Sequence, residues 1–118
     1  MYKWPKNINI SDLENANIEL ISFTSNTTII HFDNNISITI IGNMDYHLSN
    51  KSTESITFPI KYTSLVSIIG KCIISASIKT DGCSILIEFE NDSSIDIDGS
   101  DIEFECYSAN WKGIEFVV

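Results

Sequence analysis

The 118-residue chain reads as mainly β: an antiparallel meander or two-layer sandwich of about eight strands with one or two short helices. Three observations predict it. Isoleucine is the commonest residue, and Val, Phe, Tyr and Thr add to the β-formers while Ala and Leu are scarce. Apolar and polar residues alternate over long stretches, which is the period of a half-buried strand. Turn residues punctuate the second half at intervals of roughly eight to ten residues. The length fits a single domain spanning residues 1–118, with enough chain to bury a modest core without disulfide staples.

Tyr2, Trp4 and Pro5 open an extended lead-in, and Ile8 and Ile10 suit a short edge strand. Ser11-Asp-Leu-Glu14 has the form of a capping box and predicts one helical turn. Strands follow at 18–23, 28–32 and 36–41, the first pair joined by a turn at 24–26 and the second by Asp33-Asn-Asn35. A strand begins near Tyr46, a polar loop covers 49–55, and 56–62 carries Pro59, which suits an edge strand or extended connection. Residues 63–69 predict a helical turn or two, stopped by Gly70. The remaining strands are expected at 72–79, 84–89, 95–98, 102–107 and 114–118, with turns at Asp81-Gly82, 91–93, 99–101 and 110–113.

The two halves, about 18–62 and 71–118, read as an internal duplication. Residues 31–42 lie over 88–99 without a gap, matching Phe32 with Phe89, Asn34 with Asn91, Ile38 and Ile40 with Ile95 and Ile97, and Gly42 with Gly99. The outward positions differ: His31, Thr39 and Ile41 become Glu88, Asp96 and Asp98. These three outward positions are thus written once without carboxylates and once with them.

The net charge sits in the last third of the chain. The chain has 7 lysines, no arginine and 16 acidic residues, a net charge of −9. Residues 1–80 hold 6 lysines and 6 acids, whereas 81–118 hold 1 lysine and 10 acids. Read with period two, 83–107 puts Ile85, Ile87, Phe89, Ile95, Ile97, Ile102, Phe104 and Cys106 on one face, and Glu88, Glu90, Asp96, Asp98, Glu103 and Glu105 on the other. Pairing Phe89 with Ile95 would set Glu88 against Asp96, a like-charge contact that a sheet avoids without reason. Tyr107, Trp111 and Glu115 are expected at the margin of this face, the two aromatics as interface anchors; Trp111 at the end of the core is the equal alternative.

This pattern excludes nucleic acid as a partner, because phosphate binding draws on lysine and arginine, and favours a basic protein. Cys72, Cys83 and Cys106 form no CxxC pair and fall in apolar-alternating segments, as free thiols do in a reducing compartment. No apolar h-region and no membrane-length run occurs, so a cytoplasmic location is expected, with no membrane association. His31 and His47 lie in no nucleophile or metal motif, and Asp96–Asp101 has its glycine out of place for an EF-hand calcium loop. No cofactor, metal or catalytic set is expected.

Leu65-Val-Ser-Ile-Ile-Gly70, Asp81-Gly82, Ile85-Leu-Ile-Glu-Phe89, Ser93-Ser-Ile95 and Phe104-Glu105, with Tyr107 close behind, resemble a family of small bacterial domains of unknown function found among polymorphic-toxin and contact-dependent-inhibition loci. The likeness covers about residues 65–118. The chain departs from the pattern at Asp92, where glycine is usual, and at Tyr107, where tryptophan is common. The resemblance implies an immunity protein. Together with the charge it predicts a non-enzymatic inhibitor that occludes a basic toxin domain, such as a nuclease, through Glu88, Glu90, Asp96, Asp98, Glu103, Glu105, Tyr107, Trp111 and Glu115. The alternatives are an acidic nucleic-acid mimic that inhibits a DNA-binding protein, and a small ligand-binding domain or enzyme with a pocket between sheets.

Overall fold

Alternation of isoleucine with polar residues yields ten strands and, among the described residues, no α-helix. The structure is a computed structural model and describes residues 3–118; Tyr2, the start of the expected lead-in, lies outside them. In chain order the strands are β1 Ile18–Phe23, β2 Thr28–Phe32, β3 Ile36–Ile40, β4 Met44–His47, β5 Thr53–Ile56, β6 Ile73–Ile78, β7 Ile85–Phe89, β8 Ser94–Ile97, β9 Tyr107–Trp111 and β10 Ile114–Val117. Short 3-10 turns at Ile10–Leu13 and Ser64–Ile68 precede β1 and β6. Their caps are Asn9 and Thr63, whose side chains accept the backbone N–H groups of Ser11 and Leu65.

All strand pairs are antiparallel, in two five-stranded sheets. Sheet one has the order β1-β2-β3-β9-β10 and sheet two β5-β4-β8-β7-β6. Their inner faces merge in one core, to which Ile30, Ile38, Ile40, Ile85, Ile87, Phe89, Ile95 and Ile97 contribute fully buried side chains. The mainly β, two-layer expectation holds, with two short 3-10 turns as its helical part.

Each half of the chain gives a three-strand meander to one sheet and its last hairpin to the other. Corresponding residues make corresponding bonds. The ladder slips between Ile18 and Leu20 in β1 and between Ile73 and Ser75 in β6. Ile18 stands opposite Phe32, and Ile73 opposite Phe89. Asn15 and Gly70, which occupy the same place in the two halves, both have left-handed backbones. So do Asn35 and Asp92 in the two hairpin loops, at φ 66° and 63°; asparagine and aspartate tolerate this region better than most residues. The halves meet on a pseudo-two-fold axis, where Asn17 pairs with Cys72. Around it Ile18 N–H donates to Lys71 O at 3.1 Å and Ile73 N–H to Ala16 O at 2.9 Å.

The chain past Gly99 departs from this symmetry. In the first half Gly42 and Asn43 lead straight into β4; in the second, residues 100–105 intervene before Cys106 and Tyr107. The expected strand at 102–107 is therefore not formed, and the strand begins only at Tyr107. Ile102 and Phe104, expected on the apolar face, are 75% and 70% exposed. Three smaller shifts accompany it. Ile8 and Ile10 form no strand, because the 3-10 turn begins at Ile10. Of the two readings of 56–62, the connection holds over the edge strand, and β5 lies just before it at Thr53–Ile56. The ladder pairs Ile87 with Ile95, so Glu88 faces Ser94 and Asp96 faces Leu86.

Candidate functional site

The outer face of sheet two holds the densest set of carboxylates. Met44 and Tyr46 turn into the core, which leaves Asp45 and His47 outside; Ile95 and Ile97 do the same for Ser94, Asp96 and Asp98. The β4–β8 register then sets Asp45 directly opposite Asp96, the like-charge contact expected at Glu88 but made by a different pair. Lys79, at the end of β6, bridges to Asp96, and Ser55 Oγ donates to Asp45 at 2.8 Å. Asp81 and Asp98 complete a groove of about 520 Å³ whose polar wall also includes Asn43, Ser84 and Thr57. Four aspartates thus share the groove with one lysine.

Hydrogen bonds fix two of these carboxylates. Asp81 accepts Ser84 Oγ at 2.6 Å and the N–H groups of Cys83 and Ser84, each at 2.8 Å. Asp98 accepts Ser100 Oγ at 2.6 Å and Ser100 N–H at 2.9 Å. The Ser84 hydroxyl holds Asp81 below the usual carboxylate range, and the Ser100 hydroxyl does the same for Asp98. Asp33, bonded through both carboxylate oxygens to Asn17, is lowered by its side-chain bond in the same way. A depressed folded value stabilises the fold above the unfolded value and is lost as pH falls through the folded one. The urea midpoint should therefore hold from pH 7 to about 5 and decline below about 4, with a shallower decline for Asp81→Asn. A midpoint unchanged at about pH 3 would refute this account.

The residues expected to form one acidic face are spread over both sheets. Glu88, Asp96 and Asp98 lie on the outer side of sheet two. Glu90 is engaged with the backbone: its carboxylate accepts Cys72 N–H at 3.2 Å and its own N–H donates to Cys72 O at 3.0 Å. Asp33 treats Asn17 in the same way in the other half. Glu103 is exposed in the 100–105 segment. Glu105 and Glu115 lie by sheet one, lining a shallow cleft with Ser37, Thr39 and Ser108.

Tyr107 is corrected outright, and for Trp111 the core alternative holds over the interface anchor, because both are core residues. Tyr107 is wholly buried and donates its hydroxyl to Cys83 O at 2.5 Å; burial pushes its phenol far above the ordinary value. Trp111 is 2% exposed, and its indole N–H donates to Asp12 at 3.0 Å. Cys83 and Cys106 are buried free thiols and Cys72 is half-buried; burial raises the first two. Among the described residues no group of three or more His, Cys, Asp or Glu side chains is placed to hold a metal ion, and no helix is long and apolar enough to cross a membrane.

The pseudo-symmetry supplies an internal comparison. Met44 pairs with Ile97 as Tyr107 pairs with Ile40, so Asp45 corresponds to Ser108 and Asp96 to Thr39. The central acidic pair of sheet two is a pair of hydroxyls on sheet one, on the same scaffold. Comparison with protein-family models, curated proteins and solved structures finds no match.

Asp45 and Asp81 were missed by sequence reasoning. Asp81 looks like an ordinary hairpin-turn residue. Asp45 becomes significant only through the pairing of β4 with β8, a contact between halves that no local spacing announces.

Proposed function

We propose that the chain is a cytoplasmic inhibitor of the immunity-protein type, which neutralises a basic toxin domain by covering its surface and has no catalysis of its own. One observation carries this reading: Asp45 and Asp96 of the sheet-two groove stand where the same fold, repeated on sheet one, is built with Ser108 and Thr39. Folding does not need Asp45 opposite Asp96, and like charges so placed disfavour the pair. A cationic side chain would relieve the repulsion that Lys79 only partly offsets.

The neighbouring 100–105 segment supplies what charge alone lacks. Ile102 and Phe104 are exposed between Asp101, Glu103 and Glu105. Large apolar side chains rimmed by charge are the composition of an interface centre, where a few anchors set the dissociation rate. The carboxylates would speed encounter with a basic surface, and the anchors would slow release.

The test is calorimetric titration of the purified chain against the C-terminal domain of the protein encoded immediately upstream. The triple variant Asp45→Lys, Glu88→Lys, Glu103→Lys is expected to fold normally and bind about 100-fold more weakly, a loss of close charge pairs. Binding within threefold of the parent, or none by the parent itself, would remove the proposal. Equal binding of the parent to several unrelated DNA-binding proteins would favour the nucleic-acid mimic instead.

A further inference from the structure

Four strands end the two sheets, and three of them are guarded. β1 and β6 each carry a bulge near the pseudo-two-fold axis, and there they bond to the facing half through Ile18, Lys71 and Ile73. On β5, Glu54 stands opposite the buried Tyr46 and so points inward. Its carboxylate accepts Thr63 Oγ at 2.5 Å and Ser64 N–H at 3.0 Å, tying down the chain that follows. Bulges and inward-pointing charges are how sheet edges avoid pairing with other chains.

β10 has none of these devices. Its ladder with β9 runs without a slip from Ile114–Trp111 to Val117–Ser108, and it ends sheet one among the described residues. Val118 and Tyr107 exchange hydrogen bonds in both directions. By antiparallel alternation the next exchanging pairs are Phe116 with Ala109 and Ile114 with Trp111. The N–H and C=O groups of Glu115 and Val117 therefore point off the sheet. Ile114 is 51% exposed and Val117 37%, so the edge is apolar as well as open.

We infer that β10 is a strand-addition site for an extended segment of a basic partner, one that alternates lysine or arginine with apolar residues. The inference rests on the cationic-partner reading and names how such a partner would dock. Val117 shares the lining of the adjoining cleft with Glu105 and Glu115, and that lining contains no lysine. Basic side chains of an added strand would meet these carboxylates on the outer face, while its apolar ones would extend the surface of Ile114 and Phe116. A second copy of this chain is the wrong occupant, because pairing β10 with itself would bring Glu115 against its own kind at a net charge of −9 on each partner.

The probe is the peptide acetyl-Lys-Val-Lys-Val-Lys-Val-Lys-amide, titrated to millimolar concentration into the isotope-labelled full chain and followed by amide NMR. Shifts centred on Glu115 and Val117 are expected, with hydrogen exchange at these two amides slowed about tenfold. Val117→Pro removes an outward N–H without touching the β9 ladder and should abolish the effect. Glu115→Lys, which tests the same edge with no backbone change, should weaken it about tenfold. The corresponding Glu-Val peptide should not bind. Shifts confined to Asp45 and Asp96, binding unaffected by both variants, self-association through β10, or no binding would each overturn the edge assignment. None of these would decide the inhibitor reading, which stands or falls on the charge-reversal titration.

Discussion

Trp111→Ala is expected to destabilise the chain by about 3–5 kcal/mol, the usual cost of truncating a buried aromatic. The indole is 2% exposed and lies edge-on to Trp4 at 5.3 Å, while Phe116 meets Trp4 edge-on at 4.9 Å. Removing it leaves a cavity between β3 and β10 and takes away the donor at 3.0 Å from Asp12, which ties the N-terminal 3-10 turn to sheet one. Trp111→Phe keeps most of the packing and loses that bond, so about 1–2 kcal/mol is expected. Urea denaturation followed by circular dichroism measures both. An interface anchor would behave in the opposite way, losing affinity at constant stability. An unchanged midpoint for Trp111→Ala would show the residue to be peripheral after all.

The fold was legible because its signal is local. Isoleucine alternation and short turns specify hairpins directly, and β2, β3, β7 and β8 lie within a residue of where the pattern puts them. The residues misplaced between Ile102 and Tyr107 have one cause. Asp101–Glu105 alternates as a strand does, but in the opposite phase to β8, and belongs to the segment that the repeat does not share. A count of two restarted at Ile102 turns Tyr107 outward, whereas one carried on from Ile97 reaches Tyr107 on the inner face, where it lies. A phase error of one turns every later side chain to the opposite face. Tyr107 reads as outward for that reason; Trp111, in a stretch that reads as a turn, ends β9 with its ring in the core. The gapless likeness of 31–42 to 88–99 stops at Gly42 and Gly99, where that insertion begins. The acidic groove lay beyond local reading for a different reason. It depends on each half lending its last hairpin to the other half's sheet, which brings Asp45 beside Asp96 across 51 positions of sequence.

Those two glycines provide the second large effect. Gly99→Ala is expected to destabilise the fold by about 2–4 kcal/mol, whereas Gly42→Ala should change stability by less than about 1. They close matching hairpins, yet their surroundings differ. A Cβ on Gly99 would lie 2.6 Å from Cys83 O and 2.8 Å from Cys83 C, while one on Gly42 would come no closer than 3.4 Å to Cys106 Cα. The first contact is with backbone that cannot rotate away. Cys83 O is also held by the Tyr107 hydroxyl, and Gly99 N–H donates to Ser84 Oγ at 3.0 Å. Any shift that relieves the clash must therefore stretch the bonds joining β7, β8 and β9. Because the glycine backbone of neither residue has a positive φ, the difference isolates crowding from conformational strain. Thermal melts of the two alanine variants decide it: equal losses would mean that the close approach at Cys83 is not what requires glycine at position 99.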